Sequence, residues 1–317
     1  MSIKLPALGL LASAFLLHGC LGSSGSSSST SVPETVDLSG FDPATADTCD
    51  QTVADYCLFP FPNNFFTQTD SATATGLRVN FAAEAMPVAQ PVSIPPSQLA
   101  PQGVQTSEAK AIDPAEWNRN DGFSPGSMLM AQLPGIDLQQ TGAAPITDIA
   151  QSLAADAPIL VINADTGERQ LLWAELDANA TDPARQALII RPAENFSEGQ
   201  RYIAVIRQAR NADGELLEPN LLFRAYRDGI DTGESVYEQR RPAMDALFAE
   251  LEGHGVARSE LTLAWDFTIA SQQSLTERLL TIRDDAFDRL GGQAPVFTID
   301  EVDLAIDGSP RGQLSRG

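Results

Sequence analysis

The stretch Leu188–Arg210, LIIRPAENFSEGQRYIAVIRQAR, decides how the rest of the chain is read. Leu188, Ile189 and Ile190 form one short apolar run, and Tyr202 to Ile206 form a second. Pro192, Asn195, Ser197 and Gly199 lie between them, residues that turn a chain and do not extend a helix. Two short apolar runs around a polar connection predict two strands paired across it.

Working outward, Pro158–Leu176, PILVINADTGERQLLWAEL, predicts a second hairpin: an apolar run at Ile159–Ile162, a turn at Ala164-Asp165-Thr166-Gly167, and a return through Leu171–Leu176. In Leu261–Thr268 the residues Leu261, Leu263, Trp265 and Phe267 alternate, the pattern of a half-buried strand. A short strand is expected at Leu77–Phe81. Two helices are expected beside the strands. One runs over 242–252, with Pro242 in its first turn, Met244, Leu247, Phe248 and Leu251 at helical spacing, and Gly253 as its stop. The other runs over 274–290, opened by a Ser274/Glu277 capping box, with an apolar stripe of Leu279, Ile282, Ala286, Phe287 and Leu290. Neither has a basic face, so both read as packing helices.

The connection Arg191-Pro-Ala-Glu-Asn-Phe-Ser-Glu-Gly-Gln-Arg-Tyr202 resembles a hairpin of bacterial Ig-like domains, in which a Gly before the Tyr strand lets the chain turn back. The expected fold is therefore mainly β: an Ig-like β-sandwich with helical insertions, two of them packing helices. The expected domains are a signal peptide at 1–19, a Ser/Gly-rich tether at 20–40, the Ig-like domain at 41–292, and at 293–317 the start of a following domain or a tail.

The 317 residues carry 42 acidic against 20 basic side chains, a formal charge of −22. Removing Lys4 with the leader leaves 19 basic residues and −23. Such a surface repels phosphate backbones, so no nucleic-acid partner is expected. Lys4 and Lys110 are the only lysines; both adaptation to salty surroundings and genomic base composition account for that.

Residues 1–19 hold Lys4, an apolar run from Leu8 to Leu17 and a small residue before Cys20, the three regions of an export signal. The run is too short for a permanent transmembrane helix. Leu17-His18-Gly19-Cys20 resembles a bacterial lipobox, departing from the usual pattern only at His18, and implies that Cys20 becomes the diacylated first residue, the chain's attachment to a membrane. Leu21 stands where an Asp would signal inner-membrane retention, so the outer membrane or cell surface is expected. The tract Leu21–Ser31, LGSSGSSSSTS, reads as a flexible tether. With Cys20 acylated, Cys49 and Cys57 remain as a pair in an oxidising compartment and are expected to form a disulfide. Tyr56–Phe66, YCLFPFPNNFF, sets five aromatic residues among prolines and reads as extended, buried chain.

Gly122-Phe-Ser124-Pro-Gly126 satisfies G-x-S-x-G, the nucleophile elbow of α/β-hydrolases. The residue after the serine should supply an oxyanion-hole N–H, and Pro125 has none. No strand precedes the motif and no helix follows it. His254, in a Gly-His-Gly turn, is the only imidazole beyond the leader. The reading is an ordered loop. Two cysteines without histidines do not complete a zinc site, and Asn211–Glu215 lacks the spacing of an EF-hand. No metal or cofactor is expected.

From about Cys57 to Asp303 the chain resembles the N-terminal region of large bacterial exported lipases of the virulence-factor lipase type. The stretches that carry the resemblance are Leu58-Phe-Pro-Phe-Pro-Asn-Asn-Phe-Phe, Glu116-Trp-Asn-Arg-Asn-Asp-Gly-Phe-Ser-Pro-Gly, Ile190-Arg-Pro-Ala, Trp265-Asp-Phe-Thr-Ile-Ala-Ser and Leu280-Thr-Ile-Arg-Asp-Asp-Ala-Phe, in that order. The resemblance implies an Ig-like portion preceding a C-terminal hydrolase domain that holds the catalytic serine, so no catalytic residue carries over to this chain. Three functional expectations follow. The first is the non-catalytic N-terminal portion of a lipid-anchored esterase or lipase. The second is a stand-alone surface lipoprotein binding a polymer, glycan or protein. An autonomous hydrolase using Ser124 ranks third.

Overall fold

Strand β9, Arg201–Arg207, is buried along almost its whole length and forms the centre of its sheet. The computed structural model describes residues 35–53, 56–89, 110–298, 303–304 and 310–311. The leader, Cys20 and the tether as far as residue 34 lie outside them, as do 90–109 and most of 299–317. In chain order the strands are β1 (Thr67–Thr69), β2 (Leu77–Val79), β3 (Val88–Ala89), β4 (Lys110–Ala111), β5 (Leu129–Ala131), β6 (Ile159–Asn163), β7 (Leu172–Leu176), β8 (Leu188–Pro192), β9, β10 (Leu261–Thr268), β11 (Asp303–Leu304) and β12 (Pro310–Arg311). The α-helices are α1 (Leu138–Thr141), α2 (Leu221–Asp228), α3 (Ser235–Glu238), α4 (Arg241–Gly253) and α5 (Gln272–Leu290).

Two three-stranded antiparallel sheets carry the core, one in the order β10-β9-β6 and the other β5-β8-β7. In the first, Ala204 of β9 stands between Trp265 of β10 and Val161 of β6. In the second, Ile190 of β8 stands between Leu129 and Ala174. The β-rich class expected from the sequence holds. By residue count the described residues are 29% helical and 20% strand, yet the strands contribute most of the fully buried aliphatic side chains.

The pairing differs from the expected hairpins. Runs Leu188–Pro192 and Arg201–Arg207 lie in different sheets, and so do Ile159–Asn163 and Leu172–Leu176. After the turn at 164–167 the chain keeps only a short antiparallel bridge, Ile162 to Arg169, before it crosses over. Burial explains the choice. The runs ILVIN and YIAVI are apolar on both sides and need cover on both faces, and β6 is buried at every residue. In β7 and β8 buried and half-buried residues alternate at the start of each strand, so that sheet hides one face. Likewise β10 is buried except at Asp266, not half-buried as its alternation suggests.

The connection from β8 to β9 is held by its own tyrosine: the Ser197 N–H donates to the Tyr202 hydroxyl at 2.9 Å. Phe196 packs on Tyr202 and on Phe267 with ring centroids 4.7 and 5.2 Å apart. Two aromatic side chains thus fix where the chain leaves one sheet and joins the other.

Helix α4 packs as expected, burying Met244, Leu247, Phe248 and Leu251. The preceding α2 was not anticipated, although its signals are ordinary: Asn220 accepts from the Leu222 and Phe223 N–H groups at its start, and Gly229 takes the left-handed conformation after its end. Phe223 meets Phe248 edge-on at 5.7 Å. The expected packing role of α5 fails: none of its side chains is buried.

Candidate functional site

The loop 121–126 is where the tempting motif and the resembling stretches meet, and its geometry begins at Asp121. This carboxylate is 3% exposed. It accepts from the Ser271 N–H at 2.9 Å and from the Ser271 hydroxyl at 2.6 Å. The Ser271 oxygen in turn accepts from the Ser274 N–H at 3.1 Å, capping α5. The helix thus starts three residues before the expected Ser274 cap, because an oriented Ser271 already satisfies its free N–H groups.

Gly122 follows, pressed onto the end of β10. A Cβ there would come within 2.6 Å of the Ala270 nitrogen and 2.7 Å of the Thr268 oxygen. Phe123 then bridges Ile269 in parallel, and its N–H donates to the Thr268 carbonyl at 2.9 Å. Ser124 is exposed, and its hydroxyl accepts from the Gly126 N–H at 3.3 Å. The Pro125 carbonyl accepts from the Phe196 N–H at 2.9 Å. No strand runs into Ser124 and no helix leaves it; β5 begins at Leu129. His254 ends α4, and its Nδ1 lies 3.1 Å from where a Cβ on Gly167 would stand. No hydrogen bond joins His254 to Ser124 among the described residues.

The opening segment joins the same region from the other side. The Trp265 indole N–H donates to the Pro62 carbonyl at 2.7 Å. The Asn64 amide donates to Asp266 at 2.8 Å and to Thr268 at 3.1 Å. Phe61 pairs with Met130 and meets Phe123 edge-on at 5.6 Å. Three of the stretches singled out in the sequence, 58–66, 121–126 and 265–271, therefore form one contiguous platform from which α5 departs.

Cys49 and Cys57 are joined in a disulfide. Beside it, Asp50 is 1% exposed and takes both arms of the Arg240 guanidinium, at 2.6 and 2.7 Å, plus the Asn63 amide at 2.7 Å. Burial pushes the Asp50 carboxyl up, but the charge and hydrogen bonds of Arg240, with those of Thr52, outweigh it and hold it below the ordinary value. On the neighbouring turn, hydrogen bonds from Arg241 hold Glu238 down at about 2. Burial lifts the Tyr226 hydroxyl to about 12, and it donates to the Tyr237 carbonyl at 2.9 Å. These perturbed groups are engaged with protein partners that tie the opening segment and α2 to α4. No group of three or more His, Cys, Asp or Glu that could hold a metal occurs among the described residues.

Helix α5 is the unusual surface. A polar groove of about 550 Å³ separates its first turns from the body, and the α5 residues that line it are Gln273, Ser274, Glu277, Arg278, Thr281 and Ile282. Apart from Ile282, the large apolar residues point elsewhere: Leu279 is 70% exposed and Phe287 63%. Soluble helices normally do the reverse, turning the apolar stripe inward. No helix among the described residues is long and apolar enough to cross a membrane.

No protein-family model matches this sequence, nor does any curated protein or solved structure.

Proposed function

We propose that this chain is the non-catalytic N-terminal portion of an exported, lipid-anchored protein of esterase or lipase type, held at the outer membrane through acylated Cys20. The observation that carries this reading is the structural use of the G-x-S-x-G stretch. Asp121 holds the Ser271 cap, Gly122 admits the close approach to β10, and Pro125 offers a carbonyl where an elbow would offer an N–H. The lipobox-like Leu17–Cys20 and the ordered set of stretches resembling exported lipases support the anchoring and the kinship.

Two measurements test it. Mass spectrometry of the mature N-terminus should find acylated Cys20; an unmodified terminus elsewhere in the first thirty residues, on a protein free in the periplasm, removes the anchor. The coding DNA beyond Gly317 should contain a reading frame with a second G-x-S-x-G followed by Asp and His; its absence removes the esterase portion.

The outward apolar stripe of α5 favours a second reading, a surface lipoprotein whose role is to bind another protein.

A further inference from the structure

We propose that α5 is the seam of an antiparallel homodimer, in which two copies of this chain cover each other's apolar stripe. Three observations lead there, independently of any hydrolase kinship. The stripe is uncovered: Leu275, Leu279 and Ile282 are exposed, from 38% to 70%. Most of it faces away from its own domain: Ile282 also edges the groove toward the body, but Leu275 and Leu279 do not, and the other α5 residues of that groove are polar. A 19-residue helix of this kind is marginal when it stands alone in water, and packing of an apolar face is what normally sustains one.

The third observation is the spacing. Leu275, Leu279, Ile282 and Ala286 follow one another by four, three and four residues, the seam spacing of a two-stranded coiled coil. Two-fold pairing of antiparallel helices sets Leu279 of one copy against Ile282 of the second, and Leu275 against Ala286. The same register brings Arg278 beside the second copy's Asp285, twice over, and sets Arg283 beside Thr276. Parallel pairing would instead oppose Arg278 and Arg283, like charges on the flank of the seam. The helix is thus self-complementary in the antiparallel sense alone. Arg278 and Asp285 already have neighbours, Glu116 at 2.9 Å and Arg289 at 3.0 Å. Both are solvent-exposed surface pairs, which exchange at little cost. A membrane surface is a poorer occupant, because the flanks mix Glu277, Asp284, Asp285 and Asp288 with three arginines and offer no basic face.

The experiment is sedimentation equilibrium of the full chain carrying Cys20→Ser, so that no acyl group drives association. A dimer is expected at micromolar concentration. Ile282→Glu, in the same chain, should weaken it by at least about a hundredfold, because a carboxylate would be buried in the seam. Arg278→Asp and Asp285→Arg should each weaken it about tenfold, and the double substitution should return it to within about threefold of the starting affinity. Unchanged circular dichroism in each variant guards against unfolding; these side chains are exposed, so the body has no reason to fail. A monomer, a dimer indifferent to Ile282→Glu, or charge changes that add without rescue would each overturn the proposal.

Discussion

Asp121 grips Ser271 with both carboxylate oxygens, at 2.9 Å to its N–H and 2.6 Å to its hydroxyl, across 150 residues of sequence. This single contact joins the loop before β5 to the junction of β10 and α5, and Ser271 passes it on as the cap of the helix.

Replacing Asp121 by Ala should therefore cost more than an ordinary cap. The two buried donors of Ser271 lose their acceptor, a loss of about 1–3 kcal/mol. Ser271→Ala, which removes only the cap and one bond, should cost about 1 kcal/mol. Urea melts measure both, and hydrogen exchange of α5 amides should quicken in each. Equal costs for the two variants would show that Asp121 does nothing beyond capping.

Gly122 and Ser124 should respond in opposite ways. Gly122→Ala places a methyl carbon 2.6 Å from the Ala270 nitrogen, a clash with backbone that no side-chain rotation relieves. A loss of about 1–3 kcal/mol or more is expected. Ser124→Ala, at an exposed loop position, should stay within about 0.5 kcal/mol. The Ser124→Ala protein should also match the parent in fluorophosphonate labelling and short-chain nitrophenyl ester turnover. Labelling that vanishes with Ser124 would reinstate it as a nucleophile.

Acid should loosen the junction of the opening segment with α4. Asp50 and Glu238 both sit below their ordinary values in the folded chain, Glu238 at about 2 against 4.5. A carboxyl depressed by folding stabilises the folded form fully above its unfolded pKa, and that contribution is lost as pH falls toward the folded value. Stability should decline as pH drops from about 4.5 toward 2. At neutral pH, Asp50→Ala leaves Arg240 without its buried partner and should cost about 3–5 kcal/mol. A pH-independent melting temperature across this window would show that neither carboxyl contributes.

The disulfide should withstand thiol counting: the denatured, unreduced protein is expected to show no free thiol at Cys49 or Cys57. Reduction should cost roughly 2–3 kcal/mol, the loop-closure entropy of so short a loop. In the core, Ile206 is fully buried between Ile159 and Leu263, and Ile206→Ala should cost about 2–5 kcal/mol.

The sequence by itself determined where the strands of the two core sheets lie, β5 apart, the span of α4, and the disulfide. Each of those rests on local information: an apolar run of the right length, a proline in a first turn, a pair of cysteines left over. The structural use of Asp121, Gly122 and Pro125 was partly legible too, since the missing N–H of Pro125 is a property of the residue itself.

Only the tertiary structure decided which strands pair. Leu188–Pro192 and Arg201–Arg207 read as a hairpin because a polar connection is the same string of residues whether it turns a chain back or carries it to another sheet. What separates the two cases is burial: β9 is apolar on both sides and takes the central place of its sheet, where β6 and β10 pair its two edges and both its faces lie in the core. The cap of α5 is Ser271 and not Ser274 for a similar reason. Ser271 and Ser274 are both good caps locally, and the choice between them was made by Asp121, remote in sequence. The stripe of α5 was readable residue by residue, but its direction was not. A helix of that pattern turns its apolar side toward the nearest apolar surface, and here the start of the helix is fixed by Asp121 through Ser271, so that a mostly polar side meets the body and most of the stripe is left facing out.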